Sequence, residues 1–280
     1  MGAFRAVRKP WYARSVAEVA IIMTLFNRED FVEAALRSLL TQTFRDLEIV
    51  VVDDGSTDRS PQIVERIAAT DPRVRLFREP RRGVVGTLRR AHEIVLARRP
   101  RPAFIGWLDS DDLLVRSAIE ETRSVLAQHP EAGLVYTDHV IINEKSETTA
   151  LGECSKRPFS PDALLTNLIS FQFRLFRSEI YEEAGGINAE LTASPDYDFC
   201  LRASEITPFI YLPKPLYCYR VHERSISTAR RLEQIDNSAR AVRDALHRRG
   251  LDEKYRLKVT LLSRFEIRPA SDLSDAAPRT

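Results

Sequence analysis

Short apolar runs alternate with segments of helical period through the first 115 residues. Val19 to Leu25 is rich in branched side chains, which is typical of a strand buried on both faces. Between such runs, apolar residues recur three and four positions apart, which is typical of a helix with one buried face. The predicted order is strand Val19 to Leu25, helix Phe31 to Leu40, strand Leu47 to Val52, helix Asp58 to Ala69, strand Val74 to Phe77, helix Gly86 to Ala97 and strand Ala103 to Leu108.

The alternation is less regular after Val115, and the first fifteen residues show no period, so we expect them to form an arm. Gly185-Gly186 and Gly250 each follow a helical pattern, where glycine commonly ends a helix. The predicted elements are helix Ile119 to Gln128, strands Gly133 to Tyr136 and His139 to Ile142, a loop from Glu144 to Pro161, strand Phe173 to Phe176, helices Arg177 to Ala184 and Asp196 to Ser204, strands Phe209 to Leu212 and Leu216 to Val221, helix Arg230 to Arg249, and a late strand Tyr255 to Ile267.

The order of these elements predicts the fold class. Strands that alternate with helices of about ten residues indicate βαβ units, and therefore an α/β fold with a mostly parallel sheet flanked by helices. In open sheets of this kind, ligands bind beyond the carboxyl ends of the strands. That rule places Thr24 to Arg28, Asp53 to Ser56 and Asp109 to Asp112 at one edge of the sheet.

The composition is that of an ordinary globular protein. Of 280 residues, 44% are apolar and 29% are charged, which allows a sizeable core. No apolar run approaches the roughly 18–20 residues that a transmembrane helix needs, and Met1 to Ser15 is basic without an apolar signal core. We therefore expect a cytoplasmic protein, with peripheral contact at a membrane left open. Three cysteines without CxxC spacing disfavour a disulfide framework and a structural zinc site.

The charges are distributed unevenly, although the net charge is only +2. Residues 75–101 carry nine arginines against two glutamates. A surface that binds nucleic acid would interleave aromatic residues for base stacking, and this segment has only Phe77. We therefore expect no nucleic acid as a partner. The arginines that we interpret as a solvated helix face are Arg89, Arg90, Arg98 and Arg99.

The strongest chemical signal is Trp107-Leu108-Asp109-Ser110-Asp111-Asp112, at the end of a predicted strand. Carboxylates one residue apart offer oxygen ligands to a hard divalent cation. A magnesium-type ion takes only one or two of them and completes its shell with phosphate oxygens and water. The alternative is a helix N-cap followed by solvated acids. Three acids at the end of a strand in an α/β sheet favour the metal site.

Three further polar clusters are candidates, each with a structural alternative. Asp53-Asp54-Gly55-Ser56 follows a strand, where an acid accepts hydrogen bonds from a ribose or a base, but Asp-Gly is also typical of a turn. Asp196 and Asp198 follow a proline and offer either a general base or a helix cap. On a strand, Arg220 and His222 point the same way and suit a phosphate or a metal, whereas a lone histidine is more often structural.

Eight sequence segments in order resemble the family 2 glycosyltransferases, which have the GT-A nucleotide-sugar fold. The resemblance runs from about Val19 to Ser227, and the ordered set is much more specific than a single DxD motif. The segments are Ile22 to Arg28, Leu39 to Phe44, Ile49 to Thr57, Trp107 to Leu114, Gly133 to Tyr136, Gly185 to Ile187, Asp196 to Asp198 and Tyr219 to Ser227.

The resemblance implies an inverting enzyme that moves a sugar from a UDP- or GDP-linked donor to an acceptor hydroxyl. Asp196 matches the general base. Asp111 matches the ligand of a divalent metal ion, manganese or magnesium, and His222 matches a position that reaches the metal or the diphosphate in some members. The implied nucleotide-binding residues are Thr24, Phe26, Asn27, Asp54, Arg82, Gly83 and Asp109. Secondary candidates are Asp53, Asp112, Asp198 and Arg220.

Three positions depart from the family pattern. Pro195 stands where Glu is usual before the base, Phe26 replaces a frequent Tyr, and Leu88-Arg89-Arg90 stands where Arg-Asn-Arg is frequent. We place Asp196 before Asp198 as the base because the Asp-Tyr-Asp spacing and the helix that follows match the family.

The resemblance also implies a division of the chain. Residues 1–15 form the arm, 16–115 the nucleotide-sugar-binding half, 116–227 a smaller acceptor-binding and catalytic half, and 228–280 a C-terminal extension of helix and strand. The acceptor is a saccharide, a lipid-linked group or a protein.

Two other function classes remain open: a nucleotidyltransferase-like enzyme, and a non-catalytic α/β protein that binds a nucleotide or a polyanion. An NAD enzyme is disfavoured, because G-x-G-x-x-G would follow the first strand and Thr24 to Arg28 contains no glycine.

Overall fold

The structure is a computed structural model of the chain. It describes residues 17–260, with gaps at 153–158, 169, 171 and 226–229. The predicted arm, Cys154 and the part of the late strand after Thr260 lie outside the described residues. Cys200 and Cys218 are free.

The first half of the chain forms the predicted βαβ units. Its elements are β1 (Val19–Leu25), α1 (Val32–Leu40), β2 (Leu47–Asp54), α2 (Ser60–Thr70), β3 (Val74–Glu79), α3 (Gly83–Leu96) and β4 (Phe104–Trp107). The four strands lie parallel in the order β3-β2-β1-β4. Every residue of β2 is buried because helices cover both faces of the sheet, as its continuous apolar run predicts.

The second half extends the same sheet. Its elements are β5 (Leu113–Leu114), α4 (Ala118–Gln128), β6 (Leu134–Ile142), β7 (Thr148–Leu151), α5 (Pro161–Thr166), β8 (Arg174–Arg177), α6 (Ser178–Glu183), α7 (Pro195–Ala203), β9 (Phe209–Arg220) and α8 (Arg231–Arg248). The order continues as β4-β8-β6-β9-β5, with β7 beside β6. β8 is antiparallel to β4 and β6, whereas β6 and β9 are parallel. The α/β class is confirmed; the predicted parallel pairing describes the first half, and the whole sheet is mixed.

Two long strands replace pairs of short ones. The sequence predicts a break within β6 and another within β9, where Pro213 and Pro215 remove backbone donors. In the structure both strands continue, and their pairing shifts register around Asp138. β7 was missed within the predicted loop because all four of its residues are exposed, so it has no apolar pattern.

The prediction of a late strand from Tyr255 is wrong over the residues that the structure describes. Residues 255–260 form irregular chain. Their alternation of apolar residues has no buried face to occupy, because Tyr255 and Val259 are about half exposed. The pattern alone therefore did not place this segment in the sheet.

The buried apolar residues form two clusters, one on each face of the sheet. One cluster packs α3, α7 and α8 against the sheet through residues such as Val85, Phe199 and Val242. The other packs α1, α2 and α4 through residues such as Leu36 and Val64. This arrangement leaves the carboxyl ends of the parallel strands free for a site. Within the described ranges, no helix combines the length and the apolar character needed to cross a membrane.

One arginine of the predicted solvated face is buried. Arg98 is 5% exposed, and its Nη1 donates to Glu48 Oε2 at 2.9 Å. Glu48 lies on β2, and burial raises the pKa of its carboxyl group despite the charge of Arg98. The prediction for Arg98 was wrong because the sequence pattern cannot show a partner that lies fifty positions away.

Candidate active site

A cavity of about 1250 Å³ opens at the carboxyl ends of β1, β2 and β4. The parallel register brings these ends together, since Leu25 lies opposite Asp53 and Ile22 lies opposite Trp107. Residues of α7 and α8 form the far wall. The predicted site residues that line the cavity are Thr24, Phe26, Asn27, Asp54, Asp109, Asp111, Asp112, Asp196 and Arg220.

The loop after β1 is tied to the loop after β2. Asn27 has a positive φ of 49°, a conformation that asparagine tolerates better than most residues. Its backbone N–H donates to Ser56 Oγ at 3.0 Å, and its Oδ1 accepts from the Thr57 N–H at 2.9 Å. These bonds fix the direction in which Thr24 and Phe26 approach the cavity.

Asp54 is buried at the end of β2 and holds the start of α3. Its Oδ1 accepts from the Arg82 backbone N–H at 2.6 Å, and its Oδ2 accepts from the Gly83 N–H at 3.0 Å. A carboxylate is favourable there because the first N–H groups of a helix lack partners within the helix. Both oxygens are therefore bonded to the backbone at the start of α3, and the residue also lines the cavity.

The arginine that faces the cavity beside Asp54 is Arg81. Its guanidinium carbon lies 3.2 Å from the centroid of the Phe26 ring, and its Nε lies 3.6 Å from Asp54 Oδ2. The side chain of Arg82 pairs with Glu79, and Arg82 and Gly83 line a smaller neighbouring cavity of about 320 Å³. From the sequence, we interpret both Arg81 and Arg82 as facing the nucleotide; of the two, Arg81 lines the large cavity and Arg82 lines the smaller one.

Asp109 lines the cavity and is exposed to it. Desolvation by the surrounding protein, together with the charges of Asp111 and Asp196, raises its pKa to about 7. Three carboxylates that share one cavity repel each other, so a cation placed among them is strongly favoured.

A single oxygen of Asp111 contacts both Arg28 and His222. Arg28 Nε donates to Asp111 Oδ2 at 2.8 Å, and His222 Nε2 lies 3.0 Å from the same oxygen. Burial alone would raise the pKa of Asp111, but the hydrogen bond with His222 and the charge of Arg28 outweigh it and lower that pKa. The His222 side chain is only 1% exposed and stacks at a tilt on the Phe31 ring.

Asp112 and Arg220 support the loop that carries Asp111. Asp112 accepts from the Tyr217 hydroxyl at 2.5 Å and from the Arg220 backbone N–H at 2.6 Å. The Arg220 side chain donates to the Asp111 carbonyl at 2.6 Å and to carbonyls of the turn at Asn143. Burial and the neighbouring carboxylates raise the pKa of Asp112 well above its usual value. Both residues therefore act through the backbone of the loop.

Asp196 lies in the first turn of α7 and faces the cavity with a quarter of its side chain exposed. Its Oδ2 accepts from Arg174 Nη2 at 2.8 Å. Arg174 is 1% exposed and also donates to the Ser170 carbonyl. Arg174 therefore fixes the orientation of the carboxylate through one oxygen, Oδ2. The sequence analysis missed this partner, which comes from β8.

The C-terminal helix α8 anchors the turn that precedes Asp196. Ser194 has a positive φ of 51°, and its hydroxyl donates to the Gln234 carbonyl and accepts from Ser238 Oγ at 3.1 Å. The Thr192 N–H donates to Asn237 Oδ1 at 3.0 Å. Because α8 reaches this turn from outside the family motifs, its contribution to the site was not visible in the sequence.

Two secondary candidates lie in structural positions. Asp53 accepts from the Ser56 N–H and closes the turn after β2. Asp198 is buried and pairs with Arg202 at 2.6 Å, and Arg202 also donates to carbonyls at the end of α6. Neither residue lines the cavity.

The side chains near Asp111 suit a cation that shares its ligands with a substrate. In the described part of the chain, no three His, Cys, Asp or Glu side chains converge on one point. Asp111 Oδ2 and His222 Nε2 lie 3.0 Å apart, a spacing that suits two ligands of one cation when Nε2 carries no proton, and the guanidinium of Arg28 contacts the same carboxylate oxygen. A magnesium-type ion needs only such a partial set when phosphate oxygens and water complete its shell.

Comparisons with known proteins agree on the family. A model of glycosyl transferase family 2 matches residues 20–185, more than half of the chain. A chondroitin synthase from Escherichia coli is 29% identical over 243 residues, which cover 87% of this chain. The chain spans only 34% of the length of that relative.

Two solved structures share the fold. One is S. aureus TarS 1-349 in complex with UDP-GlcNAc, with a TM-score of 0.63, 18% identity, and coverage of 86% of this chain and 76% of that one. The other is the mannosyltransferase PcManGT from Pyrobaculum calidifontis in complex with GDP-Man and Mn²⁺, with a TM-score of 0.63, 21% identity, and coverage of 86% and 68%. These identities establish the GT-A fold alone. Because the family model covers more than half of the sequence, the chain belongs to glycosyl transferase family 2.

Proposed function

We propose that the chain transfers a sugar from a UDP- or GDP-linked donor to an acceptor hydroxyl, with inversion at the anomeric carbon. Residues 16–115 bind the donor, and residues 116–227 bind the acceptor and supply the general base, Asp196. Asp111 and His222 hold a divalent cation, manganese or magnesium. The names of the structural neighbours, which bind UDP-GlcNAc and GDP-Man with Mn²⁺, support this class of donor.

One observation carries the proposal: Asp54, Asp111 and Asp196 come from three separate segments and line the same cavity. Asp54, Thr24 and Phe26 line the cavity together, a combination that suits a nucleoside. Asp109 and Asp111 follow β4, where a diphosphate would meet them, and Asp196 approaches from α7. A base and a leaving group on different segments allow the acceptor to attack from the side opposite the diphosphate.

The chemistry explains why these residue types are needed. The acceptor hydroxyl has a high pKa, so a carboxylate must accept its proton as the new bond forms. Asp196 offers Oδ1 for this while Arg174 holds Oδ2. The leaving diphosphate gains negative charge in the transition state, and a divalent cation neutralises that charge when bound. Arg28 and Arg81, which line the same cavity, add charge-assisted hydrogen bonds.

The donor class is tested by thermal shift. We expect UDP or GDP to raise the melting temperature in the presence of Mn²⁺, because binding to the folded state stabilises it. The shift should shrink when Mn²⁺ is replaced by a chelator. If no nucleoside diphosphate shifts the melting temperature with Mn²⁺ present, the proposed function is wrong.

The base is tested with two neighbouring variants. Asp196→Asn should abolish transfer while nucleotide binding persists, because an amide cannot take the proton. Asp198→Asn serves as the matched control: it weakens the buried pair with Arg202 and should lower the melting temperature while transfer continues. An active Asp196→Asn protein beside an inactive, folded Asp198→Asn protein would assign the base to Asp198.

A further inference from the structure

Gln172 presents a buried amide at the wall of the active-site cavity. The residue is 6% exposed, and its Oε1 finds no hydrogen-bond partner in the part of the chain that the structure describes. A buried polar atom without a partner destabilises the folded state. Such atoms are few in native proteins, so a ligand that satisfies this one is the natural explanation for a residue on a cavity wall.

The position of Gln172 selects the part of the substrate that it meets. β8 is antiparallel to β4 with Leu175 opposite Gly106, so the residues before Leu175 run beside those that lead to Asp109. Two residues after Gln172, Arg174 holds Asp196. The amide therefore lies on the part of the cavity wall between Asp109 and the proposed general base, Asp196. In the proposed reaction the transferred sugar lies at this part of the wall, because its anomeric carbon lies between the diphosphate and the acceptor.

We infer that the Gln172 amide hydrogen-bonds a hydroxyl group of the transferred sugar, an inference that rests on the function proposed above. An amide both donates and accepts, which matches the two roles of a sugar hydroxyl. It also carries no charge, so it adds no repulsion to the carboxylates of Asp109 and Asp196. Gln172 is thus a specificity-determining residue for the donor sugar.

A second buried glutamine shows what a structural amide looks like in this protein. Gln42 is fully buried, its Nε2 donates to the Ser38 and Val115 carbonyls, and its Oε1 accepts from the Ile119 N–H. Replacing Gln42 by leucine removes three hydrogen bonds and should lower the melting temperature. Replacing Gln172 by leucine removes none that the described chain makes and should leave the melting temperature unchanged or higher.

The experiment compares wild type with Gln172→Leu and Gln172→Met, and uses Gln42→Leu as the folding control. The dissociation constants of UDP, GDP, UDP-GlcNAc, UDP-glucose and GDP-mannose are measured by calorimetry with Mn²⁺. We expect both Gln172 variants to bind the nucleoside diphosphate as wild type does. We expect them to bind the matching nucleotide sugar roughly 3- to 10-fold more weakly, the value of one hydrogen bond.

Three results would overturn the role of Gln172 while the proposed function stands. The first is that both variants bind the nucleotide sugar more tightly than the nucleoside diphosphate by the same factor as wild type does. The second is that they lose melting temperature as Gln42→Leu does and weaken the diphosphate as much as the nucleotide sugar. The third is that wild type gains no affinity from any of the sugars. If wild type binds neither UDP nor GDP, the proposed function itself fails.

Discussion

Arg28 contacts the oxygen of Asp111 that a metal ion would use, and this leads to a quantitative prediction. Its Nε lies 2.8 Å from Asp111 Oδ2, and the two side chains are 14% and 15% exposed. The rest of the guanidinium donates to the backbone carbonyls of Asn27 and Arg224 at 3.0 Å. A cation that binds at this oxygen must displace Nε and meets the repulsion of a nearby positive charge. We therefore predict that Arg28→Gln binds Mn²⁺ more tightly than wild type.

The size of the effect follows from the contact that is lost. A hydrogen bond to a charged group contributes about 1.5–3 kcal/mol, which corresponds to roughly 10- to 150-fold in a dissociation constant. The pair retains some exposure to solvent, and Arg28 keeps its bonds to the carbonyls when Nε is displaced, so the lower end applies. We expect about a tenfold gain in Mn²⁺ affinity for Arg28→Gln. Without metal, the same variant should be less stable than wild type, because Asp111 loses a partner.

The assay is titration of the nucleotide-free protein with Mn²⁺, followed by calorimetry or by electron paramagnetic resonance of free Mn²⁺. Arg28→Lys keeps a positive charge near Asp111 and should bind Mn²⁺ much as wild type does. Arg37→Gln is the matched control, because Arg37 pairs with Glu33 on an exposed face of α1. That control should change neither the affinity nor the stoichiometry.

Two outcomes would refute the reasoning. If Arg28→Gln binds Mn²⁺ with unchanged affinity, the ion does not compete with Arg28 for Asp111 Oδ2. If the variant binds Mn²⁺ more weakly, Arg28 positions Asp111 for the metal instead of competing with it. A gain that appears equally in Arg37→Gln would show that only the net charge of the protein matters.

Two further predictions concern stability. His92 is fully buried with its Nδ1 against the Leu88 carbonyl and its Nε2 accepting from Trp107, and burial lowers its pKa from 6.5 to about 3. Below pH 6.5 the unfolded chain therefore binds a proton that the folded chain excludes, so the free energy of unfolding falls as the pH is lowered. Between pH 7 and pH 5, His92 accounts for a loss of about 2 kcal/mol. Urea unfolding should show this loss in wild type and not in His92→Gln. Tyr217→Phe removes a hydrogen-bond donor from the buried Asp112 carboxyl group. Denaturant titration should show that the free energy of unfolding falls by about 1–3 kcal/mol. An unchanged unfolding midpoint would mean that the Tyr217 hydrogen bond contributes nothing to stability.

Most of the first half of the fold could be predicted, because its signals are local. A strand such as β2 is buried on both faces and reads as one apolar run, and α1 repeats its apolar residues with the period of a helix. The pattern of apolar residues did not predict those strands that are stabilised by their neighbours in the sheet. β9 continues through Pro213 and Pro215 because β6 lies beside it, and β7 forms as an exposed edge strand without an apolar pattern.

The candidate site divides in the same way. The acids after β2 and β4 could be placed at one edge of the sheet, because parallel strands end on the same side. The family spacing placed Asp196 before Asp198 as the base, but the sequence did not show which side chain faces the cavity: two residues apart on a helix, they face nearly opposite directions. In the structure, Asp196 faces the cavity and Asp198 pairs with Arg202.

The sequence by itself determined the α/β class, the family and the segments that approach the cavity, since these depend on the order and spacing of nearby residues. The tertiary structure decided which side chains meet. Arg28 and Asp111 are 83 positions apart, and Asp111 and His222 are 111 apart, yet Arg28 and His222 both contact Oδ2 of Asp111. Contacts of this kind depend on how β1, β4 and β9 pack together, and no local pattern in the chain encodes that geometry.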